Sequence, residues 1–145
     1  MQLDQLMPLI RESLAEGKSV KFSPSGVSML PMLRPGKDMV TLSPITKPLK
    51  KYDIPLYQRD TGQYVLHRIM SVGETYTCIG DNQNVYEHDI REEQMIAVVT
   101  SFTRNGKEIS VTAFSYRFYC HIWRWLRPVK KFLGRVKRFI RKFLA

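Results

Sequence analysis

The sequence predicts a mainly β fold, an antiparallel coiled sheet or partly open small barrel, with a short N-terminal helix and a basic amphipathic C-terminal helix. Short apolar runs broken by Gly, Pro and Asp follow one another from Ser19, which is typical of antiparallel strands. From Tyr116 the apolar residues instead recur every three or four positions, which is helical spacing. The expected parts are an N-terminal helix (1–18), a β domain (19–115) and a basic tail (116–145).

Residues 1–18 have the apolar spacing of a short amphipathic helix, with Leu3, Leu6, Leu9, Ile10 and Leu14 three or four residues apart. We expect this helix to begin or to be interrupted near Pro8 and to end at Gly17. Its apolar face is expected to pack on the sheet, with a protein partner as the alternative. About twenty residues leave no room for a DNA-binding helix-turn-helix.

The β domain is expected to be a meander of short strands. Asp60-Thr61-Gly62 predicts one hairpin turn, and Asn105-Gly106, the strongest turn dipeptide in the chain, predicts another. Pro55 indicates an edge strand, because proline donates no ladder hydrogen bond, and Asp53 is interpreted as structural. The expected strands are 20–22, 39–42, 54–58, 64–72, 74–79, 95–104 and 108–113.

The net charge of +10 lies entirely in the tail. Residues 1–116 hold 13 Lys/Arg and 13 Asp/Glu, whereas residues 117–145 hold 10 Lys/Arg and no acidic residue. This separation indicates that the tail meets an anionic partner while the neutral body does separate work.

Several classes of protein are not indicated by the composition. Cys78 and Cys120 are too few for a disulfide framework, so we expect both to be reduced. The three histidines lack the close paired spacing of zinc ligands, and we expect neither a metal nor a cofactor. The N-terminus does not read as a signal peptide, and no run of about 20 apolar residues predicts a transmembrane helix.

One serine and one histidine are candidates for nucleophilic chemistry. Ser28 follows Gly26, which would let a bound carbonyl approach the backbone, although a Ser/Gly/Pro loop between two strands is the simpler interpretation. On an alternating strand His67 would share a face with Val65 and Ile69, so burial would lower its pKa and keep it neutral near pH 7. A lone histidine on a strand is more often structural.

Three segments in order carry a resemblance to a known family. They are SGVSMLPML (25–33), YVLHRIM (64–70) and IGDNQNVYE (79–87). The chain resembles, over about 22–100, the serine peptidase clan that contains type I signal peptidases and LexA-type self-cleaving repressors. The resemblance implies the fold of a signal peptidase or a LexA C-terminal domain.

The resemblance implies roles for individual residues. Ser28 occupies the position of the nucleophile, and its backbone N–H, with the Ser25 hydroxyl as a weaker candidate, would form the oxyanion hole. His67 occupies the position where bacterial signal peptidases have a lysine base and the endoplasmic-reticulum type has a histidine. The carboxylate that would orient His67 stays open, with Glu87 and Asp81 nearly level and Asp89 third.

The tail is predicted to lie on a membrane surface. Its apolar stripe alternates with Arg and Lys, Pro128 is expected to begin a second helix, and Trp123 and Trp125 suit the headgroup region. An anionic membrane is the first expectation, a protein groove the second and nucleic acid, which needs no apolar stripe, the third.

These observations predict a bacterial serine endopeptidase, peripheral on the cytoplasmic face of a membrane, that cleaves a precursor or leader peptide. The alternative is a non-catalytic, membrane-associated interaction module on the same fold.

Overall fold

The protein divides into two compact units, Met1–Val111 and Thr112–Ala145. The structure is a computed structural model, and it describes residues 3–24, 37–81, 83, 85–104, 106–112, 116–122, 138 and 140–142. The fold is mainly β, with a curled antiparallel half-barrel sheet, a short N-terminal helix and a C-terminal helix, which confirms the predicted class.

The N-terminal helix α1 spans Leu3–Ala15 and runs through Pro8, so the expectation of a start or break there is wrong. Proline removes one intrahelical hydrogen bond, but Met7 and Ile10 beside it are buried and anchor the helix. At the C-terminus Gly17 adopts a φ of 77°. Its N–H donates to Leu14 O (2.9 Å) and that of Lys18 to Ser13 O (2.9 Å), which is a Schellman end that satisfies two helix carbonyls.

Most strands form one antiparallel sheet. Its strands are β1 (Val20–Phe22), β2 (Val40–Ser43), β3 (Pro55–Gln58), β4 (Tyr64–Leu66), β8 (Met95–Arg104) and β9 (Lys107–Ser110). The order is β1-β2-β8-β3-β4, and β9 also pairs with β8. The β3–β4 and β8–β9 pairings confirm both predicted hairpins. The long strand β8 therefore holds β2 and β3 together.

The sequence indicated an edge strand at Pro55, and this prediction is wrong. The strand β3 pairs with β8 on one side and with β4 on the other. Pro55 is the first residue of β3 and is aligned with Val98. At the end of a strand, a missing N–H removes only one ladder bond. The neighbouring bond, from Val99 N to Ile54 O (2.9 Å), is kept.

A second antiparallel sheet begins where the first one ends. It contains β5 (Arg68–Val72), β6 (Tyr76–Ile79) and β7 (Glu87–Ile90), in that order. The single strand expected over 64–72 is thus two strands, and His67 is the one residue between them. All five side chains from Val65 to Ile69 are buried, so the expected two-residue alternation is lost here.

The core beneath this junction joins the two sheets. A cluster of buried side chains, made of Leu49, Tyr57, Val65, Ile69, Tyr76, Cys78 and Ile90, takes members from both sheets. Apolar burial of this kind contributes about 25 cal/mol per Å². The junction at His67 is therefore held from beneath by packed side chains.

The second unit is helical at residues 116–122, 138 and 140–142. Phe118, Ile122 and Ile140 are exposed, whereas Tyr116 and Cys120 are buried. In the part of the chain that the structure describes, no helix has both the length and the apolar character needed to cross a bilayer.

Candidate active site

His67 lies at the junction between the two sheets and is 3% exposed. Burial disfavours the imidazolium and lowers the pKa of His67 from 6.5 to about 4, and the positive charge of Arg59 acts in the same direction. The negative charge of Glu87 opposes this shift without reversing it. His67 is therefore neutral at pH 7, as the sequence predicted from burial, although it lies between two strands and not on one.

Tyr57 and Glu87 both face the Nδ1 atom of His67. The Tyr57 hydroxyl lies 3.3 Å from Nδ1 and donates a hydrogen bond to Glu87 Oε2 at 2.9 Å. Glu87 Oε2 is itself 3.5 Å from Nδ1. Because the imidazole is neutral, this contact is between a dipole and a carboxylate and is not an ion pair.

Arg59 also binds Glu87. Its Nε donates to Oε1 and its NH2 group to Oε2, each at 2.8 Å, in a bidentate pair whose side chains are about one-third exposed. The hydrogen bond from Arg59 is the main reason why the pKa of Glu87 is lowered. Glu87 is therefore ionised at neutral pH, and its position is fixed by two partners.

Asp81 lies in a different environment from Glu87. It is 2% exposed and forms a bidentate pair with the buried Arg68, with Nε–Oδ1 and NH2–Oδ2 distances of 2.8 Å. Arg68 also donates to the carbonyl of Tyr52 (3.2 Å), a residue with a φ of 77°. Arg68 thus ties the turn at Asp81 to the loop before β3, and Asp81 interacts with His67 only through its charge.

The other predicted site residues are placed as follows. Asp89 is exposed on β7, in the left-handed region with a φ of 60°. Of the three candidate acids, Glu87 is the one whose oxygen lies next to His67. Ser28 and Ser25, the predicted nucleophile and oxyanion donor, lie outside the described residues.

Sequence reasoning missed Tyr57 and Arg59. A signal was present, because residues 57 and 59 are two apart and a strand sends such side chains to the same face. An aromatic hydroxyl near the end of a strand and a guanidinium just beyond it, on the same side, indicate a polar network. The strand β7, which carries Glu87, was also not predicted, because its sequence EHDI has no apolar alternation.

Among the described residues, no group of three or more His, Cys, Asp or Glu side chains could hold a metal ion. Cys78 and Cys120 are buried and form no disulfide, and burial raises the pKa of Cys78 to about 12, which keeps the thiol protonated. His67 is accordingly an unprotonated nitrogen base at neutral pH, and its lowered pKa of about 4 makes it a weak one.

Comparison with models of protein families found no match, and comparison with curated proteins found none either.

Proposed function

We propose that the protein is a serine endopeptidase of the signal-peptidase-like clan, with Ser28 as nucleophile and His67 as general base. In this mechanism His67 takes the proton of the Ser28 hydroxyl as that oxygen attacks the peptide carbonyl. The tetrahedral oxyanion that results would be stabilised by the backbone N–H of Ser28, with the Ser25 hydroxyl as a further donor. The peptide C–N bond then breaks as His67 gives its proton to the leaving amine, and water hydrolyses the acyl-enzyme. The substrate class is a precursor or leader peptide.

The observation that carries the proposal is the environment of His67. A general base has to be unprotonated at the working pH, and His67 is neutral because it is buried. It also has to be oriented through its other nitrogen, and Nδ1 faces Tyr57 and Glu87. The contacts of His67 with described residues are made through Nδ1, and the proposed mechanism requires Nε2 to face the Ser28 hydroxyl.

The third member of the proposed triad is Glu87 rather than Asp81. Glu87 Oε2 lies 3.5 Å from His67 Nδ1 and receives the Tyr57 hydrogen bond. Both Asp81 oxygens are bound by Arg68. We assign Asp81 the role of fixing the turn that follows β6.

The test is cleavage of a peptide library by the full-length protein in the presence of anionic lipid vesicles. New peptide termini are identified by mass spectrometry for the unmodified protein, Ser28→Ala and His67→Gln. Ser71→Ala, which alters an exposed serine on β5, is the matched control. We expect both site variants to lose cleavage by about 10³-fold or more, and the control to retain it.

Two outcomes contradict the proposal. Cleavage that persists in a pure Ser28→Ala preparation would assign the activity to another residue or to a contaminant. A complete absence of cleavage by the unmodified protein, with circular dichroism showing it folded, would favour the second candidate below.

That second candidate is a non-catalytic interaction module on the same fold. The observation that favours it is the bidentate pair between Arg59 and Glu87, because a carboxylate neutralised by arginine stabilises an imidazolium less well. The cleavage experiment separates the two candidates.

We further propose that the tail attaches the protein to an anionic membrane, on the cytoplasmic face in a bacterial cell. The tail contains 10 Lys/Arg and no acidic residue, and this positive charge supports attachment to an anionic surface. Phe118, Ile122 and Ile140 are exposed in the described part of the second unit, next to exposed Arg117 and Arg141. Apolar and basic side chains displayed together suit a helix in the membrane interface.

A further inference from the structure

We propose that Tyr57 is a positioning residue, whose hydroxyl bridges His67 and Glu87 and thereby determines that Nδ1, not Nε2, carries the proton of the neutral imidazole. For its catalytic meaning this inference rests on the function proposed above. The assignment of the proton itself follows from geometry alone and is tested without activity.

The Tyr57 hydroxyl has a single proton to share between His67 and Glu87. A phenol has one proton to donate, and its oxygen can also accept. The hydroxyl is 2.9 Å from Glu87 Oε2 and 3.3 Å from His67 Nδ1. A carboxylate only accepts, and a hydrogen bond to a charged oxygen is the stronger one, so the proton points to Glu87. Towards His67 the Tyr57 oxygen is left as an acceptor, which requires a proton on Nδ1.

The oxygen of Glu87 nearest His67 already accepts two hydrogen bonds. Oε2 receives a bond from Arg59 NH2 at 2.8 Å and one from Tyr57 at 2.9 Å. Two such bonds occupy the two lone pairs of that oxygen. Oε2 is also the farther acceptor from Nδ1, at 3.5 Å against 3.3 Å for Tyr57. The direct bond of a simple histidine–carboxylate pair is thus replaced by a bridge, His67 Nδ1–H to Tyr57 O–H to Glu87.

The Tyr57 side chain is held rigidly in the core. Tyr57 has no exposed surface, lies in β3 between β8 and β4, and belongs to the core cluster under the junction. Its ring meets the imidazole edge-on, with centroids 6.3 Å apart and planes at 72°. Burial raises the pKa of the Tyr57 hydroxyl, as does the adjacent Glu87, so the bridging proton stays in place.

The consequence is a fixed role for each ring nitrogen. With Nδ1 protonated, Nε2 holds the free lone pair and is the only ring atom able to take a proton from a serine. Tyr57 therefore selects the catalytically competent tautomer. Glu87 accepts the hydrogen bond of Tyr57, and Arg59 fixes the position of Glu87.

The test reads the tautomer of His67 by two-bond ¹H–¹⁵N correlation NMR on the intact protein near pH 7. The unmodified protein should show a protonated Nδ1 and an unprotonated Nε2. Tyr57→Phe keeps the ring and removes the bridge, so the ratio of the Nδ1–H to the Nε2–H form should fall by about fivefold, the worth of one hydrogen bond. Cleavage should fall in parallel.

Tyr76→Phe is the matched control, since Tyr76 lies in the same core cluster and makes no hydrogen bond to His67 among the described residues. It should leave the tautomer unchanged. An Nε2–H form in the unmodified protein, or an unchanged ratio in a folded Tyr57→Phe, overturns the inference. Cleavage by Ser28→Ala tests the proposed function alone, and the tautomer of His67 tests the role of Tyr57 alone. The proposed function and this inference can therefore fail separately.

Discussion

His67 Nδ1 and Glu87 Oε2 lie 3.5 Å apart, beyond a good hydrogen bond, and the hydroxyl of Tyr57 lies within 3.3 Å of both. The pair is therefore linked through a third side chain. Arg59 closes the network by binding both oxygens of Glu87. Because every member is partly or fully buried, each is expected to influence the protonation of His67.

Removal of the Arg59 charge should raise the pKa of His67. Arg59 lowers this pKa directly, through its positive charge, and it also binds the carboxylate that would otherwise stabilise the imidazolium. In Arg59→Gln the pKa should move from about 4 towards its ordinary value of 6.5. An NMR titration of the imidazole protons measures it directly.

Arg91→Gln is the control for this titration. Arg91 is also a paired arginine, but its partners are Asp60 and Glu93. It should not change the pKa of His67. If both variants leave this pKa near 4, Arg59 has no influence on the base.

Burial of His67 should make folding stability depend on pH between 7.5 and 5.5. The unfolded residue has a pKa of 6.5 and takes up a proton in this range, whereas the folded residue, with a pKa of about 4, does not. Stability contributed by this group is thus fully present above pH 6.5 and is lost as pH falls. Linkage gives a loss of about 1.3 kcal/mol from pH 7.5 to 5.5.

Urea denaturation of the unmodified protein and His67→Gln at both pH values checks this. The variant should lack that part of the pH dependence, whatever its absolute stability. The lowered pKa of Glu87 does not interfere, since stability from that group is lost only as pH falls below its ordinary 4.5. Equal slopes in the two proteins would show that His67 is not the group responsible.

Asp81 and Glu87 should respond differently to neutralisation. Asp81→Asn leaves the Arg68 guanidinium, 2% exposed, without its counter-charge, and this should reduce the free energy of unfolding by about 3–5 kcal/mol. Glu87→Gln leaves Arg59 partly exposed to water, so a smaller loss of about 1–2 kcal/mol is expected. Urea denaturation at pH 7.5 measures both.

The same two variants also separate structural from chemical roles. Glu87→Gln should alter the NMR titration of His67, whereas Asp81→Asn, studied where it remains folded, should change it less. The reverse result would make Asp81 the acid that orients the base.

The hairpins could be predicted from sequence because their turns are local. Gly62 and Gly106 have φ values of 92° and 77°, conformations that glycine adopts readily, and apolar strands flank both. The break at His67 could not be predicted in this way. When every residue from Val65 to Ile69 is buried, alternation no longer distinguishes one continuous strand from two strands in different sheets.

For the candidate site, the sequence predicted the neutral state of His67 from its apolar neighbours. It did not predict which side chains contact His67. Glu87 is 20 residues away along the chain and reaches His67 only because β7 pairs with β6 at Cys78. Tyr57 reaches it from β3 and Arg59 from just beyond the end of β3, a strand whose interior position in the sheet was hidden by Pro55. Contacts between strands far apart in sequence depend on which strands pair and in which register, and a slip of one residue moves every side chain to the other face.

The tail should bind anionic vesicles and lose this binding when Pro128–Ala145 is deleted. Seven of its 10 basic residues are removed with that segment, and each basic residue near an anionic surface contributes about 1 kcal/mol. Co-sedimentation with phosphatidylserine–phosphatidylcholine vesicles, compared with pure phosphatidylcholine, measures the loss. The β domain should keep its fold, which circular dichroism checks.

A matched variant separates the apolar from the electrostatic contribution. Changing Phe132, Phe139 and Phe143 to Ala keeps every charge of the tail but removes much of its apolar stripe. If the tail lies in the interface, this variant should bind more weakly and lose what remains in 1 M salt, because screening there extends only about 3 Å. If it binds as well as the unmodified tail, attraction is purely electrostatic, and RNA would compete as effectively as vesicles. Vesicle binding that survives deletion of the segment would place the membrane contact in another part of the chain.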